Sequence, residues 1–179
     1  MEWSVQGLKH HGFCGFVRFD ELPHSNVPSE PGVYVVLRDS AEPATFREKS
    51  PAGAFKGREP SVSPQRLGEK WIDDAVVVYI GKAGTGKSSH GLRRRLDQYR
   101  RHGLGENVGH WGGRYIWQLE DAADLRVAWR CCAEGTDAED VESGLLGAFA
   151  MDHGGRLPFE PQKRRPHPRL ISPAGRGRS

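Results

Sequence analysis

The sequence predicts an α/β fold built on a small, mainly antiparallel sheet flanked by helices. Three observations carry this. Val33–Leu37 and Val76–Ile80 are short runs of apolar, largely β-branched residues, read as buried strands. Few strand–helix units alternate along the chain, so a doubly wound parallel sheet cannot be assembled. Two later runs, Arg114–Leu119 and Leu125–Cys131, are joined across Glu120–Asp124. That connection suits an antiparallel pair, because a parallel crossover needs a dozen residues or more.

Taken in order, residues 1–30 form a mixed N-terminal extension with a short strand at Gly15–Phe19. Residues 39–74 scatter Pro, Gly and charge with little periodicity and read as an insertion, helical near Leu67–Ile72. Ser88–Arg101 reads as a helix, because Leu92, Leu96 and Tyr99 fall at i, i+4 and i+7 on one stripe. His102–Gly113 is a Gly-rich loop. Thr136 and Glu139 have capping-box spacing and open a helix running to about Asp152. Residues 1–160 are expected to form one domain. Residues 161–179 are a Pro/Arg-rich basic tail that cannot build a core and is expected to be disordered.

Composition narrows the function classes. The chain has 179 residues, 36% hydrophobic and 27% charged, as expected of one small domain with long loops. No apolar run approaches the ~20 residues of a membrane span. The start of the chain has no secretory signal pattern, and three cysteines without Cys-x-x-Cys spacing suit a reducing cytoplasm. Net charge is only +3, yet residues 82–101 carry seven cations against the single acid Asp97. A further six cations and no acid lie between Lys163 and Ser179. Two basic patches on an otherwise acidic chain point to a polyanion partner.

Within the basic helix, Arg95 lies about 60° from Leu92 at ~100° per residue, beside Tyr99 and at the edge of the buried stripe. It can hold a phosphate away from water, or simply snorkel. Arg93, Arg94, Arg100 and Arg101 point further out and can line a polyanion groove. Glu142 falls inside the apolar arc of its helix, among Ala138, Val141, Leu145 and Phe149. A carboxylate there needs an ion pair or a metal. Tyr34 and Tyr79 sit on the two buried strands. With Lys82 and Arg95 nearby, flanking cations are expected to lower a phenol pKa and make a base for water. The stretch His110–Tyr115 is aromatic and basic, suited either to stacking on a base or to turning the chain.

A competing motif occupies the same place. Gly81-Lys82-Ala83-Gly84-Thr85-Gly86-Lys87-Ser88 fits a phosphate-binding loop between strand and helix. The short arginine-covered helix and the scarcity of strand–helix units count against it.

Gly32-Val33-Tyr34, then Val78-Tyr79-Ile80-Gly81-Lys82, then Arg95 with Tyr99, then Glu142, resemble in that order the GIY-YIG nuclease superfamily. The likeness runs from about Gly32 to Phe159. It implies a three-stranded antiparallel sheet with flanking helices. It also implies hydrolysis of DNA phosphodiester bonds by Tyr34, Tyr79, Lys82, Arg95, Tyr99 and Glu142. Glu142 would carry Mg2+ or Mn2+, with Tyr79, or less readily Tyr34, relaying a proton from water. A non-catalytic nucleic-acid-binding module of the same fold is the alternative. Two departures stand out: some 40 residues separate the tyrosine motifs where the family has a short loop, and Gly154 falls near the place of an expected asparagine.

Overall fold

The computed structural model describes residues 1–84 and 91–159. Four strands form one antiparallel sheet: β1 (Cys14–Arg18), β2 (Gly32–Leu37), β3 (Val77–Ala83) and β4 (Arg126–Cys131), in the order β1-β4-β2-β3. The helices are α1 (Val5–His10), α2 (Pro64–Lys70), α3 (Gly91–Gly103) and α4 (Ala138–Asp152). β2 lies between β3 and β4, and all six of its residues are buried, as a continuous apolar run requires. A small antiparallel sheet flanked by helices is the expected fold class; β3, β2 and β4 pair side by side, and β1 adds a fourth strand at the β4 edge.

The pairing of β2 with β3 is antiparallel, with Tyr34 opposite Gly81 and Val36 opposite Tyr79. Tyr34, Val36 and Tyr79 therefore share the face covered by α3, with Leu92, Leu96 and Tyr99 buried against it. Val33, Val35, Leu37 and Ile80 occupy the other face, where α1 and α4 supply Leu8, Leu145 and Phe149. Each fully buried leucine contributes about 1.5–3 kcal/mol.

α3 is anchored at its start. Gly91 adopts φ +71, and any side chain there would strike the Ser29 carbonyl. Leu92 N–H donates to Glu30 O and Arg93 N–H to Pro28 O, so this loop satisfies the first helical donors. The Ser88–His90 start expected for this helix lies outside the described residues.

Three expectations are corrected. Arg114–Leu119 is not a strand: Tyr115–Gln118 forms a 3-10 turn with all four residues buried. Its backbone partners lie in the insertion, where Arg47 N–H donates to Gln118 O and Phe46 bridges Leu119. The buried Gln118 amide donates to Arg47 O and Val62 O, which fixes the turn inward. Glu120–Asp124 consequently makes no hairpin, and β4 pairs with β1 and β2 instead. The third concerns α4, whose N-cap is Asp137, not Thr136; its carboxylate accepts from Glu139 N–H at 2.8 Å.

The 39–74 insertion is built into the core. Leu67 is fully buried, and Phe46 stacks on Phe159 while Trp71 meets both rings edge-on in an aromatic cluster. Gly53 N–H donates to His102 O at the end of α3. Among the described residues no helix is long and apolar enough to cross a membrane.

Candidate active site

The tyrosines meet on the α3 face. Tyr34 is fully buried and Tyr79 nearly so, with ring centroids 5.9 Å apart; Tyr99 lies 6.2 Å from Tyr34 and 5.4 Å from Tyr79. Gly81 makes room. A Cβ there would stand 2.6–2.7 Å from atoms of Tyr34 and Tyr79, too close for any side chain. The glycine after Tyr79 therefore lets the Tyr34 ring lie across β3.

The fourth ring is His110, which the sequence reading left as a base-stacking or turning residue. Its Nε2 shares a 2.9 Å hydrogen bond with the Tyr34 hydroxyl. The imidazole stacks on Tyr99, centroids 3.6 Å apart and planes 3° from parallel. It is fully buried, and burial followed by the Arg95 charge holds its pKa well below the usual histidine value. His110 is thus a neutral imidazole. His102, also fully buried, is pushed down to about 4 by burial and by the charges of Arg114 and Arg95.

Arg95 flanks this cluster from α3. Its Nη1 donates to Gly109 O at 3.0 Å, which ties the helix to the loop carrying His110. Phe55 of the insertion lies against Gly109 as well. Burial opposes the Arg95 charge, but the oxygens of Tyr34 and Tyr79 outweigh it and raise its pKa above the ordinary value. Tyr34 behaves opposite to expectation. Burial pushes its phenol up, and the pull of Arg95 and of the Tyr79 hydroxyl does not reverse this.

Lys82 and Glu142 lie elsewhere. Opposite Val33 in the register, Lys82 projects to the α4 face. Its Nζ stands 2.7 Å from Glu139 Oε2 and 3.6 Å from Glu142 Oε2. Glu142 is half-buried; burial raises its pKa, against the charges of Lys82 and Arg95. Its charge is felt at Tyr34 in turn, so the two clusters communicate electrostatically around β3. Of the residues the sequence singled out, then, Tyr34, Tyr79, Tyr99 and Arg95 converge, while Lys82 pairs with Glu139 and Glu142, the latter within electrostatic reach of Arg95 and Tyr34.

The four outer arginines separate. Arg100 pairs with Asp97 at 2.8 Å and Arg101 with Glu106 at 2.6 Å. Arg93 Nε donates to Val27 O, and Arg94 is exposed. Cys14 and Cys131 are exposed free thiols and Cys132 a half-buried one. Gly154 adopts φ +63 just after α4.

Among the described residues no group of three or more His, Cys, Asp or Glu side chains could hold a metal ion. The Glu142 carboxylate, 3.6 Å from Lys82, could offer a divalent ion one donor group, with waters and other ligands completing the shell. Such a donor set fits Mg2+, which keeps several waters and binds through one or two carboxylates and a phosphate. No family model matches this chain, and no curated protein and no solved structure matches it.

Proposed function

We propose that this chain is a GIY-YIG-type, metal-dependent endonuclease acting on DNA phosphodiester bonds in a reducing cytoplasm. The observation that supports this best is the convergence of Tyr34, Tyr79 and Tyr99 beside Arg95, on two antiparallel strands and the helix that follows. Buried hydroxyls next to an arginine held charged suit a reaction in which a phosphate gains negative charge and water loses a proton.

In this reading neutral His110 accepts from the Tyr34 hydroxyl, leaving the Tyr34 oxygen to face Tyr79 and Arg95. Burial keeps Tyr34 a phenol, so as Tyr79 takes a proton from water it gives its own to Tyr34, and Tyr34 gives its own to His110 Nε2, the last acceptor of the chain. Tyr99 holds the His110 ring flat by stacking. Arg95 stabilises charge on the phosphate. Glu142 would hold the metal, which when bound supplies positive charge at the leaving oxygen. Lys82 keeps the Glu142 carboxylate charged until then.

The same Lys82–Glu142 pair favours the second reading, a nucleic-acid-binding module that does not cut, because a carboxylate already satisfied by lysine has less need of a metal. Magnesium-dependent nicking of supercoiled plasmid decides. Nicking that disappears with EDTA and in Arg95→Ala supports the enzyme; DNA binding without nicking in either metal supports the module. The phosphate-loop reading draws less support. β3 pairs antiparallel with β2, whereas that loop follows a strand of a parallel sheet. Lys87, its diagnostic lysine, lies outside the described residues. Micromolar ATP binding by calorimetry, lost in Lys87→Ala, would revive it.

A further inference from the structure

Along the Arg93–Asp97 flank of α3 lies a cavity of about 420 Å³. Leu22, Val27 and Leu96 make its apolar floor, and Ser29, Arg93 and Arg94 its polar rim. The volume is in the roughly 300–1,000 Å³ range of small-ligand sites. Its electrostatics are positive. Asp97 also lines it, but Arg100 neutralises that carboxylate at 2.8 Å. Arg93 is preorganised by its Nε bond to Val27 O at 2.9 Å, which leaves its other guanidinium nitrogens for a ligand.

An apolar floor under two arginines suits a ligand with a flat, weakly polar ring joined to an anion. A nucleotide has that form. The helix supplies the link to the reacting phosphate. At ~100° per residue, Arg93 and Arg95 lie on opposite flanks of the buried Leu92–Leu96–Tyr99 stripe, and Arg94 tops the exposed ridge between them. A strand crossing that ridge passes from the cavity over Arg94 to the Arg95 side.

We infer that this cavity seats an unpaired nucleotide of a DNA strand, with Arg93 and Arg94 on its phosphate and Leu22, Val27 and Leu96 against its base. The choice of DNA rests on the nuclease reading. The consequence is a preference for DNA carrying an extrahelical or single-stranded nucleotide, since a base inside a duplex cannot enter.

The test is fluorescence anisotropy of the full chain in EDTA, where no cleavage occurs. Two labelled duplexes are compared, one fully paired and one identical except for a single bulged nucleotide. The bulged duplex should bind about tenfold tighter, as one seated nucleotide with two phosphate-facing arginines allows. Ser29→Trp, at an exposed position, fills the cavity and should bring the ratio to within about twofold; Arg94→Glu should do the same through charge. Equal affinity in the wild type, or a preference that survives both variants, overturns the inference. So does binding of free deoxyadenosine 5′-monophosphate more tightly than the bulged duplex. Nicking of the same DNAs with Mg2+ separates this from the underlying reading. Preference without nicking in any metal leaves the cavity standing and sinks the nuclease; nicking without preference does the reverse.

Discussion

The two faces of β3 carry chemistry of opposite kinds. Toward α3, Tyr34, Tyr79, Tyr99 and His110 form a buried cluster held by ring packing and by hydrogen bonds that include the 2.9 Å bond between Tyr34 and His110. Toward α4, Lys82, Glu139 and Glu142 form a half-exposed charge cluster held by ion pairs. One strand feeds both because successive residues alternate in direction. The difference teaches how each is stabilised. Aromatic packing fixes the first whatever the salt. The second is screened by salt and can be rearranged by a competing cation.

The sharpest way to break this contrast is Arg95→Ala. If the buried aromatic cluster is where charge builds on the phosphate, plasmid nicking should fall by about 10²–10³, a loss typical of one electrostatic stabiliser. DNA affinity should fall only a few-fold, because Arg93 and Arg94 remain. Equal losses in binding and nicking would make Arg95 an ordinary phosphate contact.

Next in size is Tyr34→Phe. It leaves the His110 Nε2 buried without its partner, at about 1–3 kcal/mol. Urea denaturation should show that loss; an unchanged midpoint would mean the hydrogen bond is not formed in solution.

The pH dependence of stability should differ in sign between the two faces. His102 has a folded pKa near 4 against about 6.5 unfolded, and His110 is lowered too. Both bind protons more readily when unfolded; the His102 contribution is complete above about pH 6.5 and is lost as pH falls toward 4, and that of His110 is lost in the same direction. Glu142 is raised, so it binds protons more readily when folded. Its contribution is present below its unfolded pKa and is lost as pH rises through the folded one. Unfolding free energy measured from pH 4 to 7 should rise more steeply in Glu142→Gln than in wild type. Parallel curves would remove Glu142 from the buried charge cluster.

The smallest change is Lys82→Met. The pair is partly exposed, so stability should move by about 1 kcal/mol or less. Mn2+ titration followed by electron paramagnetic resonance should nonetheless show tighter binding, as Glu142 loses its resident cation. Unchanged or weaker Mn2+ binding would argue that Lys82 helps build the site rather than competing for it.

Much of this was legible in local pattern. The continuous apolar runs marked β2 and β3, and the i, i+4, i+7 stripe marked α3 and placed Arg95 at its edge. Glu142 was visible as a carboxylate in an apolar arc, though its lysine partner comes from a strand 60 residues earlier, which periodicity cannot see. His110 was missed as a site residue for the same reason. Its partners, Tyr34 and Tyr99, are brought to it by the sheet and by α3, and nothing in His110-Trp111-Gly112-Gly113 tells a buried ring from an exposed one. Gly113 held a clue: a Cβ there would collide with the Tyr99 ring, so the loop had to pass tightly over that tyrosine. The 3-10 turn at Tyr115–Gln118 was misread because three consecutive apolar residues resemble a strand when the long-range amide contacts of Gln118 are unknown.

Gly81 has a consequence for how this chain can change over generations. Because the Tyr34 ring occupies the space where a Cβ at position 81 would sit, the two positions behave as a single inherited unit, though they are 47 residues apart in sequence. A methyl group at 81 is tolerable only after the ring at 34 has shrunk and the Tyr79 ring has given way as well, and a smaller residue at 34 alone leaves a void beside His110. Each order of substitution passes through a damaged intermediate. The tyrosine and the glycine across from it are therefore locked together by mutual exclusion of volume, whether or not the hydroxyl is ever used.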